Sequence, residues 1–190
     1  MRAILGYVIN MLPYMLLAVP VYLIGRIAYV KTKKCRVSGY REAVLFLFVV
    51  FAVGLASQTI IPKFEMGVNG FQIMKDGVHT TNLIPFKVFS DTWHEVLVNG
   101  YIQYFLINFL GNVILFVPFG LIIPLLWNIS GKKTLLIGFG ISLFIEICQL
   151  FLTRGTDVDD LILNTTGVLL GILIHGFLQK HCGKLTEKFR

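Results

Sequence analysis

The segment that decides the fold is residues 131–178, which read GKKTLLIGFGISLFIEICQLFLTRGTDVDDLILNTTGVLLGILIHGFL. It contains two apolar stretches, 135–152 and 161–178, that are joined by a short polar turn. Each stretch is close to the roughly 20 residues that an α-helix needs to cross the hydrocarbon core of a bilayer. We therefore predict two neighbouring, antiparallel membrane-spanning helices in this segment.

Three further apolar stretches lie at 4–30, 43–62 and 104–127, and Pro13 and Pro20 predict a kink or break in the first of them. The chain of 190 residues is 56% hydrophobic and only 14% charged. Soluble domains carry about 25% charged residues, so this composition excludes a soluble globular protein and also a disordered chain. The sequence predicts an all-α fold, a polytopic transmembrane helical bundle of about five spans.

Basic residues are concentrated in the loop after the first span, in the turn after the third span and in the C-terminal tail. These segments hold eleven of the seventeen lysines and arginines, namely Lys31, Lys33, Lys34, Arg36, Arg41, Lys132, Lys133, Lys180, Lys184, Lys188 and Arg190. Cytoplasmic loops are enriched in such residues, so we predict that the N-terminus lies outside and the C-terminus inside. We divide the chain into a first helix with a basic cytoplasmic loop (1–42), a membrane domain (43–178) and a basic cytoplasmic tail (179–190).

Polar side chains at helical spacing run along one face of each of the last three spans. They are Asn108 and Asn112 in the third span, Ser142, Glu146 and Gln149 in the fourth, and Asp160, Asn164 and His175 in the fifth. On the predicted topology nearly all of them lie in the outer half of the membrane, below the turn that carries Arg154 and Asp157. We therefore expect a polar pocket that is open to the outside.

Glu146 is the polar residue that helix packing explains least, because a charged side chain at the centre of a membrane helix costs about 2.5–3.5 kcal/mol. Arg154 is its expected partner, and a purely structural salt bridge is an even alternative to a functional pair. For Gln149, Asn108 and Asn164 taken singly, hydrogen bonding between helices is the favoured interpretation.

The candidate site follows from these patterns. Its candidate catalytic residues, without assigned roles, are Glu146, Asp157 and Asp160. Its candidate ligand-binding residues are Asn82, Asn108, Asn112, Glu146, Gln149, Arg154, Asp157, Asp160 and Asn164. No metal-binding spacing such as C-x-x-C occurs, and we expect no metal, no cofactor and no nucleic acid partner. The segment 82–107 mixes apolar residues with Trp93 and two tyrosines, as interfacial segments do, and could cover the pocket or anchor the chain.

Four motifs in this order resemble the VanZ-like family: NLIPF at 82–86, NFLGNVILFVPFG at 108–120, EICQ at 146–149 and RGTDVDDLILNTTG at 154–167. The resemblance covers about residues 43–178 and implies a small multi-pass protein of the bacterial cell membrane. The family's namesake is associated with low-level resistance to teicoplanin, a glycopeptide antibiotic that bears a lipid tail. The resemblance points to Asn82, Pro85, Asn112, Pro118, Gly120, Glu146, Gln149, Arg154, Asp157, Asp160, Asn164 and Gly167.

Three functions are compatible with these sequence patterns and with the family resemblance. The first is a binding protein whose outer pocket engages membrane lipids and a lipid-borne ligand, such as a lipoglycopeptide or a lipid-linked cell-wall precursor, and thereby confers low-level resistance. The second is a membrane-embedded enzyme that acts on a lipid or cell-wall intermediate with Glu146 as acid or base, although no nucleophile is evident. The third is a transporter, which we rank last because the sequence contains no internal repeat.

The orientation can be tested with thiol labelling. We predict that Cys35 in the first basic loop does not react with a membrane-impermeant thiol reagent in intact cells, whereas a cysteine introduced by Lys75→Cys does. Labelling of Cys35 from outside would reverse the orientation and move the polar pocket to the cytoplasmic leaflet.

Overall fold

Helices make up most of the structure, a computed structural model that describes residues 2–34, 38–62, 64–67, 70–73, 81–99, 102, 109–152 and 155–189. The elements are α1 (Arg2–Lys33), α2 (Gly39–Thr59), β1 (Phe64–Gly67), β2 (Gly70–Ile73), β3 (Thr81–Asn82), α3 (Lys87–Asn99), α4 (Gly111–Trp127), α5 (Gly131–Phe151), β4 (Thr156–Asp157), α6 (Val158–His181), α7 (Gly183–Thr186) and a 3-10 turn (Glu187–Phe189). The predicted all-α helical bundle is confirmed.

Four helices within the described ranges are long and apolar enough to cross a membrane: Ile9–Lys33 of α1, and the whole of α2, α5 and α6. Helix α4 is apolar but has 17 residues, and residues 104–108, which belong to the third predicted span, lie outside the described part. The described ranges therefore contain four candidate membrane-spanning helices, while five spans and their orientation stay predictions. Helix α1 continues through Pro13 and Pro20, so it is not divided at these prolines.

Helices α4 and α6 pack backbone against backbone at two glycines of α6. A Cβ atom on Gly167 would collide with the carbonyl oxygen of Val113. A Cβ atom on Gly171 would collide in the same way with the carbonyl oxygen of Val117. The face of α6 that carries Gly167 and Gly171 is therefore packed against α4. Small residues on such a face let two membrane helices approach closely.

Helix α5 packs on the neighbouring face of α6. Gly138 of α5 leaves room for the side chain of Val168, which is 0% exposed. Val168 belongs to the central apolar cluster together with Phe116, Phe119 and Ile145. Helix α6 is therefore the element on which both α4 and α5 are assembled.

An ion pair that the hydropathy pattern did not indicate connects α1 to α2. Arg26 donates two hydrogen bonds, of 2.7 Å and 2.6 Å, to the carboxylate of Glu42. Their side chains are 23% and 22% exposed. Because charges within membrane helices are tolerated mainly as pairs, this contact accounts for both residues and holds α1 against α2.

The three basic segments meet at one end of the bundle. Arg41 donates hydrogen bonds to the carbonyl oxygens of Leu126, at 2.8 Å, and Phe189, at 3.5 Å. The hydroxyl of Ser38 donates to the carbonyl oxygen of Lys188 at 2.9 Å. Carbonyl groups at the end of a helix attract cations, so Arg41 stabilises the end of α4. These contacts place the three basic segments at one end of the bundle, and the side of the membrane that this end faces stays a prediction.

Two small sheets lie outside the helices. Strands β1 and β2 form an antiparallel hairpin in the long loop after α2, where we predicted no strands. Strands β3 and β4 are parallel, with Thr81 opposite Thr156 and Asn82 opposite Asp157. The second pairing attaches the segment before α3 to the turn between α5 and α6.

The contact between α4 and α6 can be tested with glycine substitutions. We predict that Gly167→Ala or Gly171→Ala destabilises the protein by about 1–3 kcal/mol, because the added methyl group overlaps backbone atoms of α4. Gly176→Ala on the same helix is the matched control, since a Cβ atom there meets nothing within 4 Å. The measurement is thermal unfolding in detergent together with abundance in the membrane. If Gly167→Ala were as stable as Gly176→Ala, the described packing would be wrong.

Candidate functional site

Four acidic residues meet where α5 turns into α6, at the end of α6 opposite to the basic segments. The side chain of Asp157 caps the N-terminus of α6 by accepting a hydrogen bond of 2.9 Å from the backbone N–H of Asp159. Asp159 and Asp160 lie in the first turn of α6, where the helix dipole favours carboxylates. Glu146 of α5 accepts a hydrogen bond of 3.2 Å from the backbone N–H of Asp157. We call these four residues the acidic cluster.

The segment 81–86 is attached to the acidic cluster through Asn82. The side-chain amide of Asn82 donates to Oδ1 of Asp157 at 3.0 Å. Its oxygen accepts the backbone N–H of Ile84 at 3.1 Å, which closes a turn within the segment. One asparagine side chain therefore both shapes the segment and holds it against the N-terminus of α6.

Phe86 ends this segment in an unusual backbone conformation. Its φ angle is 64°, in the left-handed region that bulky residues rarely adopt, at a typical cost of about 1–3 kcal/mol. Its backbone N–H donates to Oδ1 of Asp159, a contact that favours this conformation. Asp159 thereby holds the backbone of Phe86 beside the first turn of α6.

Two asparagines connect the helices of the site. The side-chain amide of Asn112 on α4 donates to Oδ1 of Asp160 on α6. The side-chain amide of Asn164 on α6 donates to the hydroxyl of Ser142 on α5 at 2.9 Å. Asn164 is 5% exposed and Ser142 is 0% exposed. The bond of Asn164 is the interhelical contact that we expected of this amide, whereas the bond of Asn112 was not predicted.

Two side-chain oxygens beside these contacts are buried acceptors, Oε1 of Gln149 and Oδ1 of Asn164, and neither has a hydrogen-bond partner among the described residues. A buried acceptor without a donor costs about 1–3 kcal/mol. The interior of the site can therefore accept further hydrogen bonds.

A groove of about 580 Å³ begins at the acidic cluster and runs between the start of α4 and the first turns of α6. Its lining includes Phe86, Leu110, Val113, Asp159, Leu163, Thr166 and Leu170. The volume lies within the roughly 300–1,000 Å³ that is common for small-molecule sites. From Asp159 to Leu170 the groove follows α6 for about 16 Å, at 1.5 Å per residue. This length equals about half of the roughly 30 Å hydrocarbon core of a bilayer.

The structure brings most of the predicted site residues together. Asn82, Asp157 and Glu146 are joined by hydrogen bonds to one another. Asn112 and Asp160 form a separate pair, and Asn164 is bonded to Ser142. Gln149 is half-buried and lies one turn further along α5. Asn108 and Arg154 lie outside the described residues, and so does the predicted pair of Glu146 with Arg154. The described partner of Glu146 is the backbone of Asp157.

Asp159, Phe86 and Ser142 are site residues that we did not select from the sequence. Asp159 belongs to the segment 157–160, which contains three aspartates. Because it follows the helix-capping Asp157 by two residues, the sequence could have predicted that it lies in the first turn of a helix. Nothing local indicated that it holds Phe86, because that contact joins residues 73 positions apart. Across the described residues, no group of three or more His, Cys, Asp or Glu side chains is arranged to hold a metal ion.

Comparison of the sequence with known proteins shows to which family the chain belongs. A model of the VanZ/LLP1 family matches residues 43–179. The chain belongs to the VanZ/LLP1 family. A curated relative from Enterococcus faecium, named Protein VanZ, is 38% identical over 141 residues, which cover 70% of this chain and 74% of the relative. No solved structure matches the chain. The family resemblance read from the four motifs is therefore confirmed.

The attachment of segment 81–86 in this VanZ/LLP1 protein can be tested at Asn82. We predict that Asn82→Ala removes a hydrogen bond to a charged group, worth about 2 kcal/mol, and speeds amide exchange at Phe86 about 30-fold. Leu83→Ala in the same segment is the control, because Leu83 is 73% exposed. The measurement is hydrogen exchange followed by mass spectrometry. Equal exchange in both variants would contradict the described attachment.

Proposed function

We propose that this VanZ/LLP1 protein is a multi-pass protein of the bacterial cell membrane that lowers sensitivity to teicoplanin-type lipoglycopeptides. In this proposal the groove and the acidic cluster engage a lipid-borne ligand in the outer leaflet. The chain needs no catalytic step for this role, since occupancy of the site is sufficient.

The observation that carries the proposal is the continuity of an apolar groove with a polar, hydrogen-bonding end. Leu163 and Leu170 supply apolar walls, and Asp159 lies at the end where the network of Asn82 and Asp157 begins. A ligand with a hydrocarbon part and a polar part fits such a site, because each part meets groups of its own polarity. A lipoglycopeptide and a lipid-linked cell-wall precursor are both ligands of this kind.

The location of the site supports action in one leaflet. The groove starts in the first turn of α6 and extends about 16 Å along it, so it occupies about half of the membrane thickness. The basic segments lie at the opposite end of the same helix, where Arg41 contacts Leu126 and Phe189. With basic loops on the cytoplasmic side, the groove belongs to the outer leaflet, in which a lipid-tailed antibiotic inserts.

The position of Glu146 favours binding over the enzymatic alternative. Glu146 is 5% exposed, and its carboxylate accepts the backbone N–H of Asp157. The residues that line the groove include Asp159 and not Glu146. A general acid or base must reach the reacting group of a bound substrate, whereas the carboxylate of Glu146 is buried and binds the backbone of the turn at Asp157.

The proposal predicts protection that depends on the lipid tail. Cells that express the chain should survive several-fold higher concentrations of teicoplanin than cells without it, and should gain nothing against the deacylated teicoplanin core. Thr166→Trp fills the groove at an exposed position and should abolish the gain. The measurement is the inhibitory concentration of each compound beside the membrane abundance of each variant.

Leu173→Trp is the matched control, because Leu173 is 60% exposed on the same helix and is not among the groove residues. It should protect as the unchanged chain does. Equal protection against acylated and deacylated compounds, or full protection by an abundant Thr166→Trp variant, would refute the proposed function.

A further inference from the structure

Helix α3 separates its apolar residues from its polar residues more sharply than α1, α2, α5 and α6 do, and it is less apolar overall. Val96 and Leu97 follow Trp93 by three and four residues, so these three residues share one side of the helix. Asp91 and His94 lie on the other side. A helix with these properties is typical of the boundary between a membrane and water.

The apolar side of α3 and the segment before it are exposed. Leu83, Ile84 and Phe86 are 73%, 64% and 66% exposed, and Leu97 within the helix is 69% exposed. Trp93, which also has a partner within the chain, is 50% exposed. Among the described residues, the closely packed helix pairs are α1 with α2, α2 with α4, and α4, α5 and α6 with one another. None of these helices therefore covers the apolar side of α3.

The start of α3 lies at the level of the membrane surface. Helix α6 is long and apolar enough to cross a membrane, so its first turn lies where the membrane meets water. The backbone N–H of Phe86 donates to Asp159 in this turn, and α3 begins at the next residue, Lys87. With 13 residues, α3 is about 20 Å long and too short to cross the hydrocarbon core. It can run along the membrane surface but cannot span the membrane.

Lipid fits this surface better than another protein does. Phe86 borders the groove together with Leu110, which is 37% exposed on α4, so the apolar surface continues from the start of α3 onto a helix of the bundle. Asp91 and His94 on the other side of α3 are exposed. An apolar side at the level of the membrane and a polar side away from it match the boundary between acyl chains and water.

We propose that α3 and the segment 83–86 are inserted into the membrane surface at the end of the bundle that carries the acidic cluster, with lipid covering their apolar side. Helices of this kind bury their apolar side about 5–10 Å into the boundary between headgroups and acyl chains. The inference goes beyond the proposed function and holds whichever ligand occupies the groove. Its consequence is that Phe86, which borders the groove, is held at the depth of this boundary.

The experiment locates spin labels on α3 relative to lipid. The full chain is placed in nanodiscs of phosphatidylcholine, and a nitroxide is attached to one introduced cysteine at a time in a variant whose three native cysteines are serine. Leu83→Cys and Leu97→Cys report on the apolar side, and Asp91→Cys and His94→Cys are the matched controls on the polar side. Oxygen reaches labels in lipid, whereas a nickel chelate reaches labels in water. We expect the ratio of oxygen access to nickel access to be several-fold higher at the two leucine positions than at the two controls.

Two other outcomes would overturn the inference. High nickel access at all four positions would place α3 in water. Low access of both reagents at Leu83 and Leu97 would mean that protein covers the apolar side, either because α3 closes over the bundle as a lid or because it contacts a second copy of the chain.

Hydrogen exchange tests the same insertion in the chain with its native cysteines. An isolated helix of 13 residues is marginally stable in water, so lipid must supply much of the stability of α3. The double change Val96→Ser and Leu97→Ser should speed amide exchange across residues 90–99 several-fold in the same nanodiscs. The double change Asp91→Ser and His94→Ser should leave this exchange unchanged. If the two double variants exchanged at the same rate, the inference would be wrong.

Discussion

The side chain and backbone of Asp157 form the contact on which the site depends. Its carboxylate caps α6 and accepts the amide of Asn82, while its N–H donates to Glu146 of α5. One residue thereby joins the end of α5, the start of α6 and the segment before α3. Replacing its side chain with an apolar one would deprive the amide of Asn82 and the backbone N–H of Asp159 of this acceptor at once. Each of the two donors then costs free energy unless another acceptor takes the place of the carboxylate.

A second constraint is the close approach of α4 to α6. Gly167 and Gly171 bring the two backbones together, and Asn112 and Asp160 join the first turns of the same helices. The groove lies alongside this contact, because Val113 both touches Gly167 and lines the groove. An apolar groove that ends at the acidic cluster is a geometry that suits an amphiphile.

The sequence predicted the parts of this structure that depend on helical periodicity. The apolar lengths of α2, α5 and α6 and the polar face containing Glu146 follow from spacing alone. Spacing does not tell which helix packs against Gly167 and Gly171, because a glycine face of α6 can contact either neighbouring helix equally well. The attachment of Phe86 to Asp159 and the pair of Arg26 with Glu42 also escaped prediction, because both join residues that only the tertiary fold brings together.

The central claim is that an amphiphile occupies the groove with its head at the acidic cluster. A crystal structure of the chain with a lipoglycopeptide that carries bromine at the end of its acyl chain tests this claim most directly, because the bromine is located by its anomalous signal. We expect a bromine peak between Leu163 and Leu170 and density for the polar part of the ligand at the acidic cluster. A bromine peak at the opposite, basic end of the bundle, or none within the groove at saturating ligand, would contradict it.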